Sequence, residues 1–144
     1  MAIQNIFVVG AGLMGSGIAQ TAMTSGYHVI LNDQRQETLE RAQMGIESRL
    51  KHMVEKGTMS EEEFQDCMGR LKIDTRLSAA READLVVEAA VENLDIKKSI
   101  FGELDKICKP ETILASNTSS ISITAIAAAT QRADRFIGMH FFNP

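Results

Sequence analysis

The sequence predicts one α/β domain built on a doubly wound, mainly parallel sheet. Short apolar segments typical of buried strands alternate with longer segments of helical periodicity. A glycine-rich turn follows the first apolar segment directly, and the 144 residues show no internal repeat or domain linker. Strands that alternate with helices are joined by right-handed crossovers, which place the strands parallel. We therefore expect residues 1–144 to form a single domain.

The chain begins with a strand, a helix and a second strand. Residues 3–9 end in an apolar run closed by glycine, which is typical of a buried strand. Residues 13–24 carry apolar side chains at helical spacing, and Gly26 is placed to end that helix. Residues 28–32 (H-V-I-L-N) form the second predicted strand.

A helical insertion is predicted after the second strand. One apolar stripe indicates a long helix that ends near Gly57. Ser60 and Glu63 have the S-x-x-E spacing of a capping box, which predicts the start of a shorter helix. The stripe consists of Leu39, Ala42, Ile46, Leu50, Met53 and Val54.

Four strands and two helices are predicted in the second half. The strands are residues 71–74, 84–90, 112–115 and 136–142. The second of these, D-L-V-V-E-A-A, is continuous and rich in β-branched residues, as in a strand covered on both faces. A helix with apolar positions 100, 101, 104 and 107 precedes Pro110, which marks its end. A short helix is predicted over residues 121–129.

The composition limits the class of protein. A hydrophobic fraction of 44% and a charged fraction of 24% are ordinary for a globular domain. The net charge of −4 argues against a nucleic-acid partner. Cys67 and Cys108 lack the spacing of a metal site, so we expect reduced, buried thiols and no metal. The apolar start is too short for a signal peptide or membrane span, so we expect a cytoplasmic protein with no membrane partner.

The glycine turn has the pattern G-x-G-x-x-G. It reads G-A-G-L-M-G over residues 10–15, between the first strand and the first helix. Gly10 allows a tight turn, Gly12 lets the backbone approach a pyrophosphate, and Gly15 permits close packing of helix on strand. The N-terminus of the helix then directs free N–H groups and a positive dipole at the phosphates. The context predicts a dinucleotide site of the Rossmann type.

Asp33 follows the second strand at the position expected for a ribose-binding carboxylate. A carboxylate there repels a 2′-phosphate, so NAD is predicted in preference to NADP. Arg35 lies two residues further on and weakens that preference. The alternative is a loop aspartate that caps the following helix.

Two polar turns and one histidine complete the candidate site. E-A-A-V-E-N (residues 88–93) and A-S-N-T-S-S (residues 115–120) follow neighbouring strands, so both turns are predicted to face the cofactor. Helix capping is the alternative for their Asn, Ser and Thr residues. His140, considered alone, is typical of a core position. At the end of a sixth strand beside a nicotinamide, it suits a general base for alcohol oxidation.

Four motifs together resemble the 3-hydroxyacyl-CoA dehydrogenases, and most of all the bacterial 3-hydroxybutyryl-CoA dehydrogenases. They are G-A-G-L-M-G, V-E-N at residues 91–93, S-N-T-S-S at residues 116–120, and H-F-F-N-P at residues 140–144. The resemblance implies reversible hydride transfer between C3 of an (S)-3-hydroxyacyl-CoA and NAD. It also implies that His140 takes the hydroxyl proton, Ser119 hydrogen-bonds the reacting oxygen, and Asn117 positions nicotinamide or substrate.

The resemblance implies further binding residues. Lys56 on the long second helix is a candidate contact for a phosphate of CoA, although that helix matches the family loosely. The cofactor-binding positions implied by the motifs are Gly10, Gly12, Leu13, Met14, Gly15, Asp33, Gln34, Ala89, Glu92, Lys97, Asn117 and Asn143.

The resemblance also implies a longer enzyme. In the family, a glutamate that orients the histidine and a helical domain that forms a homodimer follow the H-F-F-N-P motif. We therefore expect this chain to be the cofactor-binding domain, without the C-terminal helical domain and with little or no turnover of its own. Two alternatives stay open: a non-catalytic NAD(H)-binding module, and a dehydrogenase of free 3-hydroxy acids.

Overall fold

The computed structural model describes residues 2–90, 92–117 and 123–139. Within them, six strands form one sheet in the order β3-β2-β1-β4-β5-β6, and every neighbouring pair is parallel. The fold class predicted from the sequence is therefore confirmed. The strands are β1 (Asn5–Val9), β2 (His28–Asn32), β3 (Leu71–Asp74), β4 (Leu85–Glu88), β5 (Ile113–Ser116) and β6 (Phe136–Gly138).

Helices cover both faces of the sheet. They are α1 (Leu13–Thr24), α2 (Gln36–Glu55), α3 (Glu61–Gly69), α4 (Leu94–Ile107) and α5 (Ile123–Ala127), with short 3-10 helices at Leu77–Glu82 and Ala133–Arg135. Successive residues of a strand point to opposite faces. Val8 accordingly packs in the core with α1, α2 and α3, whereas Phe7 packs in the core with α4 and α5. The central strands are buried on both sides.

The predicted helical insertion is present as α2 and α3. The capping box begins α3: the Glu63 N–H donates to Ser60 Oγ at 3.0 Å, and the Ser60 N–H donates to Glu63 Oε1 at 3.3 Å. Both cysteines are free and buried, as predicted. Burial raises the pKa of the Cys108 thiol to about 11, which keeps that thiol protonated and unreactive near neutral pH.

Several element boundaries differ from the predicted ones. β4 ends at Glu88 rather than at residue 90, because the Ala90 N–H turns back to Glu88 Oε2 instead of a neighbouring strand. β5 is shifted by one residue, since the hydroxyl of Thr112 donates to Ala83 O before the strand begins. The sequence did not predict the 3-10 helix Leu77–Glu82. Residues 140–142 of the predicted sixth strand lie outside the described residues.

α4 ends at Ile107, before the predicted stop at Pro110. The residue before a proline disfavours helical backbone, so Lys109 cannot extend the helix. The buried guanidinium of Arg132 also binds this end, donating to Asp105 Oδ1 and to the carbonyls of Asp105 and Cys108. Arg132 thus supplies hydrogen bonds that the last turn of the helix lacks.

Asp84 joins the amino ends of β1 and β4. Its carboxylate accepts the N–H groups of Gln4 and Asn5, both at 2.9 Å, and pairs with Lys109 Nζ at 2.8 Å. These three partners, with Lys109 foremost, lower the pKa of Asp84 from 3.8 to about 2. Only 6% of Asp84 is exposed. The carboxylate therefore stabilises the folded chain in its ionised form.

We predict that Asp84→Asn lowers the free energy of unfolding by about 1–2 kcal/mol at pH 7. This is less than the pKa shift alone implies, because solvent reaches Lys109 and screens the ion pair. The pKa of this carboxyl is lower in the folded than in the unfolded chain. Its stabilisation is therefore complete above about pH 5 and is lost as the pH falls towards 2. Urea unfolding across this range checks the prediction.

Asp66→Asn serves as the control, because Asp66 is exposed on α3. Its free energy of unfolding should follow that of the unsubstituted chain at every pH. The free energy of unfolding of Asp84→Asn should approach that of the unsubstituted chain as the pH falls. If the difference between the two stayed constant from pH 7 to pH 2, the linkage to this carboxyl would be contradicted.

Candidate functional site

The glycine turn lies where the sheet changes direction, between β1 and β4. Crossovers leave these two neighbouring strands towards opposite edges, so a crevice opens outside their carboxyl ends. We call this region the switch-point crevice. It is bordered by the glycine turn (residues 10–15) and by the described residues that follow β4 and β5, namely residues 89–90, 92–93 and 117.

Two glycines of the turn have no room for a side chain. Gly10 has a positive φ of 101°, and a Cβ there would lie 2.7 Å from the carbonyl oxygen of Ala89, just after β4. A Cβ on Gly15 would lie 1.7 Å from the carbonyl oxygen of Gly10. The turn is therefore pressed between the end of β4 and the start of α1, as the sequence predicted for these two positions.

Gly12 differs from its neighbours because its surroundings are open. A Cβ there would meet no described protein atom within 4 Å. Gly12 is the N-cap residue of α1, and no side chain in the described part of the chain caps this helix end. The first N–H groups of α1 and the positive end of its dipole thus face the switch-point crevice. This open backbone surface fits a pyrophosphate.

Asp33 is bonded to the glycine turn. Its Oδ2 accepts the Ala11 N–H at 3.1 Å, and its Oδ1 accepts the N–H of Arg35, the N-cap residue of α2, also at 3.1 Å. Asp33 therefore holds the turn. It does not cap α2, the alternative interpretation of this residue, because the N–H that it accepts belongs to the N-cap residue and not to the first turn of the helix. The adjacent Gln34 is exposed at the same edge.

Leu13 and Met14 begin α1 beside the switch-point crevice. Leu13 is 71% exposed and Met14 is half-buried. An apolar side chain that exposed at a helix N-terminus offers a surface on which part of a bound molecule can pack. Both residues thus border the crevice, and their contact with a cofactor stays a prediction.

The other side of the switch-point crevice is formed by Ala89, Glu92 and Asn117. The Ala89 N–H donates to Val9 O, which joins the end of β4 to β1, and the side chain of Glu92 is 44% exposed. Asn117 directly follows β5, and its N–H donates to the Glu88 carbonyl at 2.8 Å. Asn93, in the same polar turn as Glu92, caps α4 by accepting the Ile96 N–H.

A buried polar cluster lies beneath these residues. Glu88 and Ser116 were predicted to face the cofactor within the two polar turns, but both side chains are buried, and Glu88 contacts both Ser116 and Lys97 in the interior. Glu88, Lys97 and Ser116 all have no exposed surface. Glu88 Oε2 lies 2.5 Å from Lys97 Nζ, and Glu88 Oε1 accepts the Ser116 hydroxyl at 2.6 Å. The only signal in the sequence was a polar residue at the end of each of two apolar strands, L-V-V-E and I-L-A-S.

Lys97 does not reach the surface of the switch-point crevice. The resemblance implies a contact with the cofactor, whereas the structure pairs its ammonium with Glu88 and, at 3.5 Å, with Glu92. A direct contact of Lys97 with a cofactor stays a prediction. Lys56 lies at the far end of α2, roughly 30 Å along the helix from Gln36, so it is not part of the crevice.

Three predicted site residues, Ser119, His140 and Asn143, lie outside the described residues. In the described ranges, no group of three or more His, Cys, Asp or Glu side chains is arranged to hold a metal ion. Among the helices that the structure describes, none is long and apolar enough to span a membrane.

Comparison with known families identifies the fold and its cofactor. Residues 5–144 match the family model of the 3-hydroxyacyl-CoA dehydrogenase NAD-binding domain. The chain belongs to this family. The resemblance drawn from the four motifs is therefore confirmed, as is NAD as the cofactor of the domain.

Relatives within the family share the whole of this chain. A Bacillus subtilis protein named "Probable 3-hydroxybutyryl-CoA dehydrogenase" is 48% identical over 144 residues, which are 100% of this chain and 50% of that protein. A crystal structure of 3-hydroxybutyryl-CoA dehydrogenase from Ralstonia eutropha has a TM-score of 0.95 at 42% identity, over 99% of this chain and 50% of that one. This chain thus spans about half the length of these relatives.

A second solved structure has the same backbone fold. The crystal structure of 3-hydroxybutyryl-CoA dehydrogenase from Escherichia coli has a TM-score of 0.97 at 45% identity, and it covers 100% of this chain and 30% of that one. The backbone around the switch-point crevice is therefore that of the family's NAD-binding domain.

We predict that Gly12→Ala weakens NADH binding by more than tenfold while changing the free energy of unfolding by less than about 1 kcal/mol. The added methyl group meets no protein atom but occupies the space that the pyrophosphate needs. Titration by nicotinamide fluorescence and thermal unfolding measure the two effects separately.

Gly17→Ala is the matched control, because Gly17 is exposed within α1 and its Cβ also meets nothing within 4 Å. It should bind NADH normally and gain about 0.5–1 kcal/mol of stability from the higher helix propensity of alanine. Equal NADH affinity for the Gly12 variant and this control would show that no ligand approaches the turn.

Proposed function

We propose that the natural protein containing this chain catalyses the reversible oxidation of (S)-3-hydroxyacyl-CoA to 3-oxoacyl-CoA, with 3-hydroxybutyryl-CoA among its substrates. The match of residues 5–144 to the family's NAD-binding domain carries the proposal. The names of the similar proteins from Bacillus subtilis and Ralstonia eutropha support the substrate class.

The described residues suggest how the chain holds its cofactor. The N-terminus of α1 and the open backbone at Gly12 would bind the pyrophosphate, and Asp33 would accept hydrogen bonds from the adenosine ribose. Leu13 offers an apolar surface beside them. These contacts fix the position of the dinucleotide along the edge of the sheet.

The segments after β4 and β5 would contact the other half of the cofactor. Ala89, Glu92 and Asn117 border this side of the switch-point crevice. When bound, NAD supplies the hydride acceptor of the reaction. Placing that group against the substrate converts an encounter of two molecules into a reaction within one complex, which is a large part of the rate enhancement.

The acid–base roles rest on the family motifs. We assign to His140 the removal of the proton from the substrate hydroxyl, and to Ser119 a hydrogen bond to the same oxygen. Lys56 is assigned to a phosphate of CoA and Asn143 to the cofactor. A cytoplasmic location and homodimer formation through a helical domain are further parts of the proposal.

We predict that the natural protein oxidises (S)-3-hydroxybutyryl-CoA with NAD, and that His140→Asn lowers kcat by about 10²–10⁴ because the general base is lost. NADH affinity should change little. The chain alone should bind NADH with far lower turnover. Absorbance of NADH follows the reaction, and fluorescence titration follows binding.

His28→Asn is the matched histidine control, because His28 is exposed at the amino end of β2, away from the switch-point crevice. It should retain full kcat. NADH binding without turnover of any 3-hydroxyacyl-CoA would indicate a non-catalytic module, and faster oxidation of free 3-hydroxybutyrate would indicate the other class of dehydrogenase.

We predict that the unsubstituted chain binds NADH more tightly than NADPH. Asp33→Asn should lower the ratio of the NADPH and NADH dissociation constants by roughly tenfold. The substitution removes the charge that repels a 2′-phosphate, while its amide oxygen can still accept the Ala11 N–H. Parallel titrations with NADH and NADPH measure the ratio.

Asp66→Asn is again the control and should leave the ratio unchanged. If Asp33→Asn weakened both cofactors equally, Asp33 would act only by holding the glycine turn. If the unsubstituted chain bound NADH and NADPH with equal affinity, the predicted preference for NAD would be contradicted.

A further inference from the structure

The buried cluster of Glu88, Lys97 and Ser116 joins three elements below the switch-point crevice. Glu88 is the last residue of β4, Ser116 the last residue of β5, and Lys97 lies near the start of α4. All three side chains are fully buried. Glu88 Oε2 also accepts the Ala90 N–H at 2.6 Å, so this one carboxylate has three partners.

Stability alone does not account for this cluster. Removing two charges from water costs several kcal/mol for each ion, and apolar residues of similar volume often stabilise a core as well or better. Lys97 also lies close to the N-terminus of α4, where the helix dipole disfavours a cation. A buried ion pair in so unfavourable a place points to a role other than filling the core.

The cluster continues to the surface through Glu92. Lys97 Nζ lies 3.5 Å from Glu92 Oε1, and the Glu92 side chain is 44% exposed at the switch-point crevice. The ammonium therefore has the buried carboxylate on one side and the exposed carboxylate on the other. A chain of contacts runs from Glu88 through Lys97 to a residue that is exposed at the switch-point crevice.

Glu88 also determines where the segment after β5 begins. Its side chain accepts the Ser116 hydroxyl, and its backbone carbonyl accepts the Asn117 N–H. In the parallel pairing of β4 with β5, Glu88 lies directly opposite Ser116. The positions of Glu92 and Asn117, which lie on two different segments, thus depend on the same residue.

We propose that Glu88 is a positioning residue for the nicotinamide half of NAD. It holds Glu92 in place through Lys97, and it holds Asn117 in place through the end of β5. Glu92 and Asn117 then contact the nicotinamide half of the cofactor. The inference rests on the proposed function in one respect, the placement of that half beside Glu92. Glu88 itself touches no ligand. Its effect is therefore specific to one half of the cofactor.

Comparison of NADH with ADP tests this specificity. ADP retains the adenosine and pyrophosphate but lacks the nicotinamide and its ribose. Glu88→Gln should weaken NADH binding about tenfold and change ADP binding less than twofold, because a neutral amide no longer balances the Lys97 ammonium. A purely structural defect would weaken both ligands in the same proportion, and that result would overturn the proposal.

A double-mutant cycle tests the route through Glu92. Adding Glu88→Gln to Glu92→Gln should weaken NADH binding by clearly less than the tenfold loss that Glu88→Gln causes alone, because one of the two groups that Glu88 positions is already altered. Full additivity of the two losses would contradict the route. Asp84→Asn, at the opposite end of the same strand, is the control for a lost buried carboxylate and should bind both ligands normally.

A second variant keeps the test decisive if Glu88→Gln does not fold. Glu88→Gln with Lys97→Met removes both charges, which a folded core tolerates better than one unpaired charge. It should show the same selective loss of NADH affinity, and normal NADH affinity in it would overturn the proposal. NADH binding without acyl-CoA turnover by the natural protein would instead overturn the proposed reaction and leave this inference standing.

Discussion

The close packing of the glycine turn against the end of β4 is the constraint on which the rest of the crevice depends. The carbonyl oxygens of Ala89 and Gly10 occupy the places where side chains of Gly10 and Gly15 would lie. Since neither contact tolerates a Cβ, α1 starts at a fixed distance from the sheet. The N-terminal N–H groups of α1 are thereby held beside the carboxyl end of β4. Gly12 then faces open space because the glycines on either side of it fix the backbone.

The same packing explains why one edge of the sheet collects the polar residues. The parallel strands present their carboxyl ends together, and β1 and β4 separate there. Asp33 bonds to the turn from the side of β2, and Glu88 bonds to the segment after β5 from the other side. At the amino ends, Asp84 instead joins β1 to β4 through backbone N–H groups. The amino ends of β1 and β4 are thus joined by hydrogen bonds to one carboxylate, whereas their carboxyl ends separate at the switch-point crevice.

Local patterns predicted much of this structure. The bounds of α1, β2 and β3 coincide with the predicted ones, and the capping box of α3 is present, because each depends on spacing within a few residues. The ends of β4 and β5 were wrong by one or two residues. β4 ends where the Glu88 side chain accepts the Ala90 N–H, and β5 begins after a hydrogen bond between residues far apart in sequence, Thr112 and Ala83. No periodicity within one segment carries that information.

The buried ion pair shows most clearly what a sequence pattern leaves out. A glutamate that ends an apolar strand and a lysine on the next helix are each ordinary in isolation, and both types are usually exposed. Only the pairing of β4 with β5 and the position of α4 above them bring Glu88, Lys97 and Ser116 together.

The family motifs imply a contact of Lys97 with the cofactor, which stays a prediction, and they did not reveal that its ammonium is buried between two carboxylates. Its burial changes the chemistry expected of it. A cation enclosed by Glu88 and Glu92 acts on a ligand through the carboxylate it holds, so the charge presented to the switch-point crevice is that of Glu92.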